Sequence, residues 1–120
     1  MTARRYRDEM AMRGHDDILQ LVEFVSVASH VFGIETRHDI QEAVRDCLVF
    51  FLEHEYAVVG DMNLTAEGPP IVPWVGSPES IVNEVIEKWD HLGDYPNLGD
   101  VCWVELTPAG REFAQSLDDV

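Results

Sequence analysis

From the amino terminus, the first strong pattern of polar and apolar positions begins at Ile18. Up to Phe32, the polar residues Gln20, Glu23, Ser26 and His30 recur three or four apart, while Ile18, Leu21, Val22, Val25, Ala28, Val31 and Phe32 fill most of the remaining circumference. That period predicts a helix covered on several sides, either central to the domain or part of a homodimer seam, capped by Asp16 or Asp17 and stopped by Gly33. A second helix is predicted from Thr36 to about His54. The Thr36 hydroxyl and the Asp39 carboxylate can satisfy its free amides, and Ile40, Val44, Cys47, Leu48 and Phe51 form its core stripe. Gln41, Glu42, Arg45, Asp46 and Glu53 make its outward face.

The β-branched run within Tyr56–Met62 then predicts a strand, and the alternation in Val101–Leu106 predicts its antiparallel partner. Between them, Gly68-Pro69-Pro70 and Val72-Pro73 argue against regular structure. Ser77-Pro78-Glu79 is a helix start, with a Ser cap, Pro at the first position and an acid facing the helix dipole. Ile81, Val82, Val85, Ile86 and Trp89 continue that helix to Gly93, the expected left-handed cap. Thr107-Pro108 repeats the start signal for a last helix, Ala109–Leu117, with Phe113 and Leu117 inward. The expected class is α+β, with helices packed on a two- to three-stranded antiparallel sheet.

Composition narrows this further. At 120 residues and 46% hydrophobic, the chain can close one core without metals or cross-links, so residues 15–120 read as one domain. Cys47 and Cys102 lie in apolar stretches and read as buried thiols rather than a disulfide; no Cys-x-x-Cys spacing offers a zinc or redox pair. Without a secretory pattern at the start or an apolar run long enough for a membrane span, a cytoplasmic location is expected.

Charge is more informative than size. The formal net charge is −15, yet Arg4, Arg5, Arg7 and Arg13 give residues 1–14 about +2 and leave the rest at about −17. Residues 1–14 therefore read as a basic arm. The remainder should repel phosphate backbones, because nucleic-acid binding depends on lysines and arginines that displace counterions. A basic protein surface is the natural complement.

The order helix, helix, strand, excursion, strand, helix is similar to a winged-helix domain from its second half onward. The run Leu106-Thr107-Pro108-Ala109-Gly110-Arg111-Glu112-Phe113-Ala114 resembles the Leu-Thr-x-x-Gly-Arg ending of many winged-helix regulators. The resemblance spans about residues 15–118 and implies a scaffold whose helix before the wing reads a DNA groove. Here Arg37 and Arg45 on that helix stand against Asp39, Glu42, Asp46 and Glu53, and the wing has gained a helix of its own. Pro73-Trp74, Ser77-Pro78, Trp89, Leu92-Gly93, Pro96-Asn97 and Gly99-Asp100-Val101-x-Trp103 also resemble small bacterial proteins encoded beside secreted toxins, some of which are immunity proteins.

Catalytic chemistry finds little footing. His38-Asp39, Glu53-His54 and Asp90-His91-Asp94 lack a recognised metal-ligand spacing, so neither a metal nor a cofactor is expected. No nucleophile elbow or phosphate-cradling glycine loop is present, and an enzyme is not expected. Trp74 differs from the other tryptophans in sitting on an apolar loop stiffened by prolines, as interface anchors do.

The expectation is thus a protein-binding module, in its sharpest form a toxin-neutralising immunity protein. Trp74 would be its anchor, and Glu67, Glu79, Glu84, Glu87, Asp90, Asp94 and Asp100 its acidic surface against a basic, nuclease-like toxin. The alternative is a winged-helix DNA-binding regulator, dimeric through the first helix, that contacts phosphate with Arg4, Arg5, Arg7 and Arg13.

Overall fold

The computed structural model describes residues 2–65 and 67–118. It is an α+β fold in which five helices surround one four-stranded antiparallel sheet. In chain order the elements are α1 (Thr2–Gly14), β1 (Leu19–Gln20), α2 (Leu21–Ser26) running into a π-helical turn (Val27–Val31), α3 (Arg37–Glu53), β2 (Ala57–Met62), β3 (Ile71–Pro73), α4 (Pro78–Leu92), β4 (Trp103–Leu106) and α5 (Pro108–Asp118).

The sheet order is β1-β4-β2-β3, every pairing antiparallel. Its centre is the pair expected from the sequence: β2 and β4 align with Val59 opposite Val104 and Ala57 opposite Leu106, so all four of these side chains are buried. Both outer strands are additions to the expected set. β3 is short and lies at an edge, where Pro73 can end a strand without leaving an interior ladder bond unmade. β1 takes Leu19 and Gln20 out of the expected first helix and pairs them with Val104 and Trp103. The helix proper therefore starts at Leu21, where the Glu23 carboxylate accepts from the Gln20 amide at 3.0 Å, and it ends in the wider turn closed by the Phe32 amide on the Val27 carbonyl at 3.2 Å.

Residues 1–14 require a correction. Far from an arm, residues 2–14 form a helix that packs against α5 and α3. Tyr6, Met10 and Ala11 are almost wholly buried, and the Tyr6 hydroxyl donates to the Phe24 carbonyl at 2.7 Å. Positions 6, 10 and 11 share one helical face, and fully burying a large side chain contributes on the order of 2 kcal/mol. The arginines occupy the rest of the circumference.

The other helices follow their sequence signals. Thr36 caps α3 by accepting from the Asp39 amide at 3.1 Å, and Ile40, Val44, Cys47, Leu48 and Phe51 are buried. Ser77 caps α4, Pro78 opens it, and Gly93 ends it at φ 72°. The Leu-Thr-x-x-Gly-Arg run also has a local structural explanation. Thr107 Oγ1 accepts from the Gly110 amide at 3.1 Å and donates to the Glu55 carbonyl at 2.7 Å. At Gly110 a Cβ would collide with the Tyr56 carbonyl, so the first turn of α5 can sit against the link between α3 and β2 only without a side chain there.

The core has no buried charged residue among those described. Cys47 and Cys102 are free and buried. Burial pushes the Cys102 thiol up to about 12 and raises both the Cys47 thiol and the Tyr6 phenol well above their ordinary ranges. Neither sulfur is therefore a thiolate at neutral pH. None of the described helices is long and apolar enough to cross a membrane.

Candidate functional site

The most informative contact is between α3 and the helix inserted in the excursion. α4 lies along α3 and buries Ile81, Val82, Val85 and Trp89 in the shared core. Its polar edge then reaches the arginines of α3. Asp90 accepts from Arg37 at 3.4 Å and from Gln41 at 2.8 Å, and Asn83 accepts from Arg45 at 2.6 Å. Arg37 also stands over the Trp89 ring, 5.9 Å from its centre. Both cations of α3 are thereby engaged by the chain itself.

What α3 leaves exposed is acidic. His38, Asp39, Glu42, Asp46 and Glu53 form its outer ridge. Beside the ridge, between α3 and α4, lies an open cleft of about 340 Å³ lined by Arg45, Asp46, Val49, Phe50, Glu53, Glu79 and Asn83. Val49 and Phe50 provide half-buried apolar surface there, and three carboxylates stand around it. On the α1 side of the same ridge, Arg4, Arg7, Asp46, Cys47 and Phe50 share a second hollow, where the Arg7 guanidinium lies 4.0 Å from the centre of the Phe50 ring.

The residues singled out in the sequence are scattered by this geometry. Only Glu79 lines the α3–α4 cleft. Asp90 is tied to Arg37 and Gln41, and Glu84 pairs with Lys88 at 2.9 Å. Asp94 and Asp100 hold the 94–100 turn by accepting from the Tyr95 and Asn97 amides at 2.7 and 2.8 Å. Glu67 is exposed on the 63–70 loop, where its backbone carbonyl accepts from Asn63 and Thr65, and Glu87 is exposed on α4. Trp74 packs half-buried against the core; its amide donates to the Val59 carbonyl at 2.9 Å, and Lys88 Nζ stands 4.4 Å from its ring centre. Beside it Val75 is 98% exposed.

Of the ridge residues, Glu42, Asp46 and Glu53 were readable as the outward face of a helix and Asp39 as part of its cap. Set against Arg37 and Arg45 they already argued against groove entry; that both arginines turn to α4 and leave the acids outward was not readable, because it depends on tertiary packing. A further cleft, lined by Val22, Val25, Ser26, Ser29, His30, Glu35, Ile40, Tyr95 and Pro96, lies beside the π-helical turn. Among the described residues no three His, Cys, Asp or Glu side chains converge as a metal site would require.

No family model, curated protein or solved structure matches this chain. The functional reading therefore rests on the geometry and charge of the chain itself.

Proposed function

We propose that the protein is a protein-binding module on a winged-helix-like scaffold, acting in the cytoplasm. In its sharpest form it is an immunity protein whose acidic surface covers a basic, nuclease-like toxin. The observation that carries this reading is the seating of α4 on α3, which engages Arg37 and Arg45 and leaves Asp39, Glu42, Asp46 and Glu53 outward. A helix presented in this way repels a phosphate backbone and attracts a cationic surface. Attraction of that kind accelerates encounter and opposes a nucleic-acid substrate competing for the same partner.

The scaffold part of the reading is supported by chain order. α1 and β1 precede α2 and α3, and β1 pairs with β4, so that β1, β4 and β2 form a small sheet behind the helix pair. Residues 63–102, between β2 and β4, then stand where a wing would be, and α4 is its inserted helix. The competing DNA-binding reading loses much of its basic surface. Arg7 lies over Phe50 and bridges Asp8, and Arg13 pairs with Glu9 at 2.8 Å.

The test is binding to the most basic protein encoded beside the gene, measured by calorimetry across a salt series. A complex that weakens at least tenfold between 50 and 300 mM salt, and again at least tenfold in an Asp39→Asn/Glu42→Gln/Asp46→Asn variant, is the expected result. A neighbour that does not bind, together with tight binding of duplex DNA, would overturn it.

A further inference from the structure

The four-stranded sheet has two faces, and the core uses one of them. Leu19, Ala57, Val59, Val104 and Leu106 share the face that joins the main core. Alternation along the strands places Gln20, Val58, Met62, Ile71, Trp103 and Glu105 on the opposite face. Its apolar members, Val58, Met62, Ile71 and Trp103, stand outside the main core, and all but Ile71 are half-buried.

An antiparallel sheet with one solvated face alternates apolar and polar residues. This sheet does not. Val58 lies diagonal to Trp103, and Met62 lies opposite Ile71, so the apolar surface runs across three strands. At its Gln20 end the 94–100 turn joins it, with the Gly99 amide donating to the Gln20 side chain and Leu98 79% exposed beside it. Apolar surface that crosses several strands without joining the core marks an association site.

What approaches this face is set by the edges of the sheet and by charge. β1 has two paired residues and β3 three, the last of them Pro73, so neither edge suits an added strand and the occupant must come face on. Among the paired positions of the face the one charged residue is Glu105, and Arg111 offsets it at 3.8 Å. The face is therefore locally neutral in a chain of net charge −15, and it lacks the excess of acid that would select a basic partner. A second copy fits both features. Apolar face meets apolar face, and across a two-fold axis Glu105 of either copy can meet Arg111 of the other. The buried residues of α2 and its π-helical turn, Leu21, Phe24, Val25, Val27 and Ala28, are taken up by the core, which leaves the sheet rather than that helix as the seam.

We propose that the outward face of the sheet pairs two copies of the chain, with Val58 and Trp103 central to the seam. The inference is independent of the basic-partner reading, and the α3 ridge stays exposed on each copy. Salt separates the two associations. Exposed ion pairs are individually weak, so repulsion between two chains of −15 governs the salt response, and screening it should tighten the pair, whereas it weakens binding to a basic partner.

The test is sedimentation equilibrium of the full chain at low and high salt. The expected result is a reversible monomer–dimer equilibrium at least about threefold tighter at high salt. Val58→Gln/Trp103→Gln should weaken it at least about tenfold. Glu105→Arg makes the chain less anionic, so general repulsion alone would tighten the pair; a seam built on Glu105 and Arg111 should instead weaken at least about threefold. Glu105→Arg/Arg111→Glu should restore the parent affinity. Both positions of this exchange reach solvent, so it tests the seam even where the Trp103 variant does not fold. A chain that stays monomeric throughout, or a dimer indifferent to these substitutions, overturns the proposal. So does a dimer that loosens as salt rises.

Discussion

The two helices that flank α3 carry opposite charge and use it differently. α1 holds four of the chain's eight Lys and Arg residues, yet it is fixed by the apolar face of Tyr6, Met10 and Ala11, and its arginines are partly consumed locally by Phe50, Asp8 and Glu9. α4 is fixed in the same manner by Ile81, Val82, Val85 and Trp89, but its polar edge pairs Asp90 with Arg37, hydrogen-bonds Arg45 through Asn83, and adds Glu79 and Glu87 to the exposed acids. Net charge in a sequence segment thus says little about what the segment presents to a partner. What decides it is which charges the neighbouring helix already holds.

Removing α1 should break that comparison most severely. A detachable arm could be deleted without effect, whereas deletion of residues 1–14 opens the sites of Tyr6 and Met10 and should abolish the cooperative thermal transition seen by circular dichroism. Trp89→Ala should cost about 3–5 kcal/mol in chemical denaturation, because the ring is fully buried between α4 and the core. Trp74→Ala, at a half-buried site, should cost clearly less in the same measurement.

Tyr6→Phe should cost roughly 1–2 kcal/mol in urea denaturation, since the Phe24 carbonyl would lose a buried donor. The same group sets a pH dependence. Tyr6, Cys47 and Cys102 are all raised from ordinary values of 10.0 for the phenol and 9.0 for the thiols. The folded protein therefore holds protons that the unfolded chain releases. Their contribution is fully present below about pH 9 and declines above it, so the melting temperature should fall from pH 9 upward, less steeply in a Tyr6→Phe/Cys47→Ala variant than in the parent. The smallest effect belongs to Glu55, exposed at φ 57° just after α3. Relief of the left-handed strain, less the entropy cost of glycine, should make Glu55→Gly more stable by up to about 1 kcal/mol.

Much of this architecture was readable from residue order. Thr36, Ser77-Pro78, Gly93 and Thr107 mark helix ends through local hydrogen bonds, so they need no tertiary information. The pairing of β2 with β4 followed from the β-branched run before Met62 and the alternation that ends at Leu106. The missed elements are those that tertiary contacts create. β1 has two residues whose pattern also suits a helix, and only β4 makes them a strand. β3 contains a proline that reads as a breaker until its edge position is known. In α1 the buried Tyr6, Met10 and Ala11 sit among four arginines, and the basic character obscured the stripe.

The site was less legible than the fold. Asp90, Asp94 and Asp100 look like free surface acids in sequence, but each is taken up by an arginine or a turn amide of the same chain. The excess of acid over Arg37 and Arg45 on α3 was visible in the sequence; that both arginines face α4 and leave the acids outward was not.

The most direct measurement is fluorescence anisotropy of a labelled 20-base-pair duplex titrated with the full chain at 50 mM salt. If α4 and the α3 ridge define the surface as described, anisotropy stays flat into the high micromolar range. A saturable rise that disappears in Arg4→Ala/Arg5→Ala would contradict the account.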